Sequence, residues 1–153
     1  MTIAPVVREV DVKCAPARAF ELFTTRMAGW WPKGMTIGKE PFAEIVLEPY
    51  VGGLWLERDA QGDETRWGEV LAWDPPHGFV LAWRINAQFN YDPDFITEVE
   101  LTFTANADGG AKVRLEHRKL ENFGADAERL AGMLGGGWPT HLANFAEYAA
   151  THP

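Results

Sequence analysis

Residues 96–120 read ITEVELTFTANADGGAKVRLEHRKL, and the choice of fold turns on them. Val99, Leu101 and Phe103 share one parity, with Glu98, Glu100 and Thr102 on the other. After the turn signal Asn106-Ala107-Asp108-Gly109-Gly110 the alternation resumes. Val113, Leu115 and His117 now stand against Lys112, Arg114, Glu116 and Arg118. A period of two on both sides of a glycine-rich turn predicts an antiparallel hairpin over 96–104 and 112–120, apolar on one face and wet on the other. The apolar face needs a cover.

The cover lies downstream. Trp138, Leu142, Phe145 and Ala149 recur at i, i+4, i+7 and i+11, the apolar stripe of a helix. An earlier helical run, 126–134, carries Leu130, Met133 and Leu134. Gly135-Gly136-Gly137 lies between the two and predicts a kink, since each glycine costs about 1 kcal/mol within a helix. On that division Pro139 falls in the first turn of the final helix, where proline is tolerated.

Upstream, 6–13 alternates as a strand, and Ala15-Pro16 ends it and opens a short helix over 17–24. Trp30-Trp31-Pro32 closes a second short helix or turn begun at Met27. Four more strands are predicted over 42–48, 54–58, 66–73 and 79–84, divided by Pro49 with Gly52-Gly53, by 59–63, and by Asp74-Pro75-Pro76-His77-Gly78. Inside 66–73 the parity is ambiguous, because Trp67, Leu71 and Trp73 share it with Glu69. The order is one strand, two short helices, six strands and a long helix. It predicts a single α+β domain over 1–153, a curved antiparallel sheet packed on a C-terminal helix.

Composition narrows the function classes. The chain has 153 residues, 46% hydrophobic and 24% charged, in the range of a globular protein. Its net charge of −8, with no Lys/Arg cluster, argues against nucleic acid as a partner. The first 12 residues are too short and too charged for a signal peptide, and no apolar run spans a membrane. With one cysteine, Cys14, no internal disulfide can form, which fits a reducing cytoplasm. Cys14 precedes the first helix, where a helix terminus lowers a thiol pKa; a small buried side chain is the alternative reading. No serine occurs, so a serine nucleophile is excluded. His77, His117, His141 and His152 show no HxxxH or CxxC spacing, so no metal or other cofactor is expected.

Seven Trp and nine Phe are many for this length, and such rings either fill a core or line a cavity. Trp83, Phe103, Leu115, Trp138, Leu142 and Phe145 are the candidate walls of a cavity for a small apolar molecule. Trp30 and Trp31 are candidates for its mouth. His117, on the apolar parity near a strand end, is the candidate polar contact, or else a core histidine satisfied by a hydrogen bond. Glu57 and Glu69 are weighed as inward-pointing carboxylates. No residue is assigned a catalytic role.

Several motifs run in order along nearly the whole chain. They are Ala15-Pro16, Trp30-Trp31-Pro32, Pro49 through Gly52-Gly53, Trp67-Gly68-Glu69-Val70, Asp74-Pro75-Pro76 leading to Leu81-Ala82-Trp83, Leu115-Glu116-His117 and Gly137-Trp138. On these the chain resembles the START-like (SRPBCC) superfamily of polyketide cyclases and birch-pollen-type allergens. More narrowly it is similar to the branch named for the activator of heat-shock-protein-90 ATPase homologues. The resemblance implies a helix-grip fold with a cavity between sheet and long helix. It leaves three functions open: binding of a small hydrophobic or aromatic molecule, cyclase- or dehydratase-like catalysis on a polyketide-like substrate, and a co-chaperone-like module with a chaperone partner. The glycine run departs from the continuous helix that the resemblance implies.

Overall fold

Each alternating run forms a strand in the computed structural model, which describes residues 2–153. In chain order the elements are β1 (Val6–Val12), α1 (Pro16–Thr25), α2 (Met27–Trp30), β2 (Phe42–Leu47), β3 (Leu54–Asp59), β4 (Glu64–Asp74), β5 (Gly78–Trp83), β6 (Thr97–Ala105), β7 (Ala111–Arg118) and α3 (Ala127–Ala150). A 3-10 segment, Leu120–Asp126, leads into α3. The strands form one antiparallel sheet in the order β1-β7-β6-β5-β4-β3-β2, so the first strand closes beside the last. The sheet curls around α3, which is the helix-grip architecture. In the β6–β7 hairpin Val99 pairs with His117, Leu101 with Leu115 and Phe103 with Val113, so the apolar parities coincide on the inner face.

The ambiguous parity of β4 has a structural cause. Trp55 pairs with Gly68 but Leu56 with Arg66, which leaves Trp67 as an extra residue against β3. Against β5, Val70 pairs with Leu81 but Ala72 with Val80, which leaves Leu71 as a second extra residue. Each bulge shifts the alternation by one. Trp67 and Val70 are therefore both buried, while Glu69 turns outward and takes a bidentate contact from Arg84, with Nε–Oε1 2.7 Å and Nη2–Oε2 2.7 Å. Glu69 is thus not an inward-pointing carboxylate.

The expected kink at Gly135–Gly137 is absent: α3 is one helix of 24 residues, and Pro139 lies in its interior. Proline at 139 has no N–H for the carbonyl four residues back, that of Gly135. The Arg8 guanidinium on β1 fills the gap, donating from Nε at 3.2 Å and Nη2 at 3.0 Å to the Gly135 oxygen. A Cβ on residue 135 would stand 2.9 Å from that Nη2, so glycine there admits the arginine. Tertiary packing of α3 on the sheet outweighs the weak local propensity of the glycines.

α1 and α2 close one end of the concave face. Phe20 and Phe23 of α1 meet Phe103 at centroid distances of 5.3 and 5.8 Å, and Phe23 meets Phe145 at 5.0 Å. Trp30 adds an edge contact to Phe145 at 5.3 Å. Leu115, Leu142 and Phe145 are fully buried beside this cluster. Each such side chain contributes roughly 1.5–3 kcal/mol on burial. Cys14 is buried as well, and desolvation pushes its thiol up, contrary to the lowered value that a helix terminus predicts. No described helix is long and apolar enough to cross a membrane.

Candidate ligand-binding site

The aromatic plug fills only part of the space between sheet and helix. Beyond it, under the first half of α3, lies a half-open cavity of about 310 Å³. Its sheet wall is Trp67 and Trp83, its helix wall Leu130, Leu134, Gly137, Trp138 and His141, and its near side the 31–37 segment. The volume is at the small end of the range for organic-ligand sites. Gly137 opens the helix wall: a Cβ there would meet nothing closer than the Met35 Cε at 3.8 Å.

Four indoles face this space, and the protein has bound every one of their ring N–H groups. Trp31 Nε1 donates to the Met35 carbonyl at 2.9 Å and Trp83 Nε1 to the Ile85 carbonyl at 3.1 Å. Trp67 Nε1 donates to Glu57 Oε1 at 2.9 Å, and Trp138 Nε1 to His117 Nδ1 at 3.1 Å. A buried indole normally needs such a partner. Here the partners fix the ring planes and leave only carbon surface toward the cavity.

Two buried polar side chains, Glu57 and His117, fix Trp67 and Trp138. Glu57 points inward from β3 and is only 2% exposed. Its Oε1 also accepts from the backbone N–H groups of Ile37 (3.0 Å) and Gly38 (2.8 Å), so one oxygen both orients Trp67 and ties down the loop that forms the near side. Gly38 is needed at this contact, because a Cβ there would fall 2.8 Å from Glu57 Oε2. His117 is fully buried, with Nε2 2.8 Å from Thr97 Oγ1. An indole N–H can only donate, so Nδ1 must be the acceptor, and the Nε2 proton goes to Thr97. Burial lowers the His117 pKa to about 3. It is a neutral histidine with both nitrogens satisfied, behind Trp83 and Trp138, whose ring centroids lie 5.0 and 6.0 Å away.

His141 is different. Its Nδ1 lies 2.9 Å from the Gly137 carbonyl. A carbonyl only accepts, so Nδ1 carries the proton and Nε2 is an acceptor. Among the described residues Nε2 has no protein partner, yet it is not one of the sealed, unsatisfied buried atoms. The ring is held edge-on by Trp31 at 4.4 Å and lies 4.9 Å from Trp138. Burial lowers its pKa, partly opposed by the Gly137 hydrogen bond.

The rim is apolar. Five large apolar side chains are left exposed among the described residues, and three of them, Met35, Phe89 and Met133, border this cavity. Phe89 sits at φ +62, unusual for a bulky residue. The Asn86 side chain holds the turn by accepting from the Gln88 and Asn90 N–H groups.

Of the candidate residues, Trp31, Trp83 and Trp138 converge on this cavity. Trp30, Phe103, Leu115, Leu142 and Phe145 do not line it: Phe20 and Phe23 pack against Trp30, Phe103 and Phe145, and Leu115 and Leu142 are buried in the same core. His117 stands one layer behind the wall. The sequence reading missed Trp67, whose inward turn depends on a bulge, and His141. A signal for the latter existed: Leu130, Leu134, Gly137 and His141 follow the same i, i+4, i+7, i+11 spacing as the core stripe, on a neighbouring face. No group of three or more His, Cys, Asp or Glu converges among the described residues.

A family model described as Activator of Hsp90 ATPase homolog 1-like protein matches residues 13–150. No curated protein matches the sequence. Among solved structures the chain is similar to an anthrahydroquino-γ-pyrone synthase, Txn09, in complex with SUM. The identity is 38%, over 95% of this chain and 97% of the other, with a TM-score of 0.67. It is also similar to CalC, a self-sacrificing resistance protein from Micromonospora echinospora. There the identity is 29%, over 97% and 96% of the two chains, with a TM-score of 0.70. The Aha1 dimer from Colwellia psychrerythraea shares the fold, at 14% identity over 97% of each chain and a TM-score of 0.65.

Proposed function

The chain belongs to the Activator of Hsp90 ATPase homolog 1-like family, and on that premise we propose that it binds a flat aromatic small molecule in the cavity under the first half of α3. One observation carries this reading: four indoles surround the cavity with every ring N–H bonded to the protein. A surface of fixed aromatic carbon favours stacked or edge-on aromatic guests. The name of the 38%-identical neighbour specifies a fused, oxygenated ring system, which agrees with this choice. A chaperone-type partner is the second reading: of the five exposed large apolar side chains Met35, Phe89 and Met133 belong to the cavity mouth, whereas Tyr50 and Val51, between β2 and β3, lie outside it.

The test uses 2-methylnaphthalene as probe, followed by tryptophan fluorescence and calorimetry. One site of micromolar affinity, about −8 kcal/mol, is expected. Gly137→Leu places a side chain into the cavity from the helix wall. It is expected to abolish binding while leaving the melting temperature equal or higher, since glycine is the weaker helix former. No binding by the parent, or full affinity in a folded Gly137→Leu variant, overturns the proposal.

A further inference from the structure

The geometry points to His141 as the residue that selects among aromatic ligands. Its Nε2 accepts a hydrogen bond from a ring hydroxyl, so the site takes hydroxylated aromatics (phenols and naphthols). This rests on the cavity reading above and adds a chemical class to it.

Three observations converge. The wall is mostly carbon: the four indole N–H groups are used within the protein, and His141 and Thr36 are the remaining polar side chains that line it. His141 lines the same cavity, and its tautomer is set by the Gly137 carbonyl, which leaves Nε2 as a lone-pair acceptor with no protein partner. The ring cannot swing away easily, being packed edge-on against Trp31 and close to Trp138. A fixed acceptor in an apolar cleft discriminates by what it lacks: a ligand without a donor leaves it unpaired. Burial lowers the His141 pKa, which keeps the acceptor form at neutral pH.

2-Naphthol and 2-methylnaphthalene have nearly the same shape and differ in one donor. The affinity of each is measured for the parent and for His141→Phe, which keeps a ring against Trp31. The parent is expected to bind both probes. In the variant the affinity ratio of naphthol to methylnaphthalene falls about tenfold, in part because methylnaphthalene no longer buries an unpaired acceptor and binds more tightly. As a second readout, the His141 Nε2 nitrogen resonance of the parent takes a hydrogen-bond shift on adding 2-naphthol that 2-methylnaphthalene does not produce. Methylnaphthalene binding with an unchanged ratio and no such hydrogen-bond shift overturns the role of His141 and leaves the cavity reading intact. Failure of the parent to bind either probe overturns both.

Discussion

Three adjacent glycines in α3 have three different environments, so their alanine variants are expected to differ in sign. A Cβ at Gly136 meets nothing within 4 Å, so Gly136→Ala gains the helix-propensity difference alone, about 0.5–1 kcal/mol. For a domain of this length that is a rise of about 2–4 °C per kcal/mol. Gly137→Ala gains a similar amount, with one ordinary contact to Met35 at 3.8 Å. Gly135→Ala gains the propensity too, but its Cβ stands 2.9 Å from Arg8 Nη2. The guanidinium must retreat, and its two bonds to the Gly135 carbonyl weaken. Proline at 139 leaves that carbonyl no helical partner, so a charge-assisted contact of roughly 1.5–3 kcal/mol is at risk. The net expectation is a loss of about 1 kcal/mol. Urea unfolding and calorimetry measure all three, and an Arg8→Ala background completes a double-mutant cycle. With Arg8 removed, Gly135→Ala should become stabilising like its neighbours. If Gly135→Ala already matches Gly136→Ala in the parent, the role given to Arg8 is wrong.

Two further outcomes follow from the site. Phe89→Gly relieves a left-handed backbone that costs a bulky residue about 1–2 kcal/mol, so its melting temperature is expected to hold or rise. Removing an aromatic from the rim should still weaken probe binding, and a variant that lost stability but kept affinity would argue for a purely structural Phe89. His117 supplies a pH signature. Its pKa is about 3 in the fold and about 6.5 unfolded, so the unfolded chain binds the extra proton between those values. Stability therefore falls as the pH drops from about 6.5 toward 3, by up to about 1.4 kcal/mol per unit, and His141 adds to the loss in the same direction. His117→Gln should flatten this slope, as read from urea midpoints across the range; an unaltered slope would mean that His117 does not titrate on unfolding.

Much of this architecture was readable from local pattern. Alternation located β1, β5, β6 and β7, turn signals bounded β2, β3 and β4, and the stripe Trp138, Leu142, Phe145, Ala149 located the buried face of the helix. What escaped depends on distant partners. The kink expected at Gly135–Gly137 failed because Arg8, 127 residues away in sequence, takes over the carbonyl that Pro139 orphans. Trp67 and Glu69 share a parity in sequence yet face opposite sides, since a single-residue bulge disturbs the alternation without showing at which residue it falls. The cavity was expected deeper, around Phe103, Leu115 and Phe145. The period-3.6 pattern of α1 showed an apolar face with Phe20 and Phe23, but not that those rings would fill that space. Among the residues that face the cavity, Trp31, Trp83 and Trp138 were identifiable as large rings on apolar faces. His141 was overlooked because its stripe was hidden beside the stronger core stripe.

The location of the guest can be read directly. Indole N–H and methionine methyl resonances are recorded while 2-methylnaphthalene is titrated in. Ring-current shifts are expected at the Trp31, Trp67, Trp83 and Trp138 indoles and at the Met35 and Met133 methyls, with the Leu115 and Leu142 methyls unmoved. Shifts centred on Leu115 and Leu142, or none anywhere at saturating probe, would contradict a binding site beneath the first half of α3.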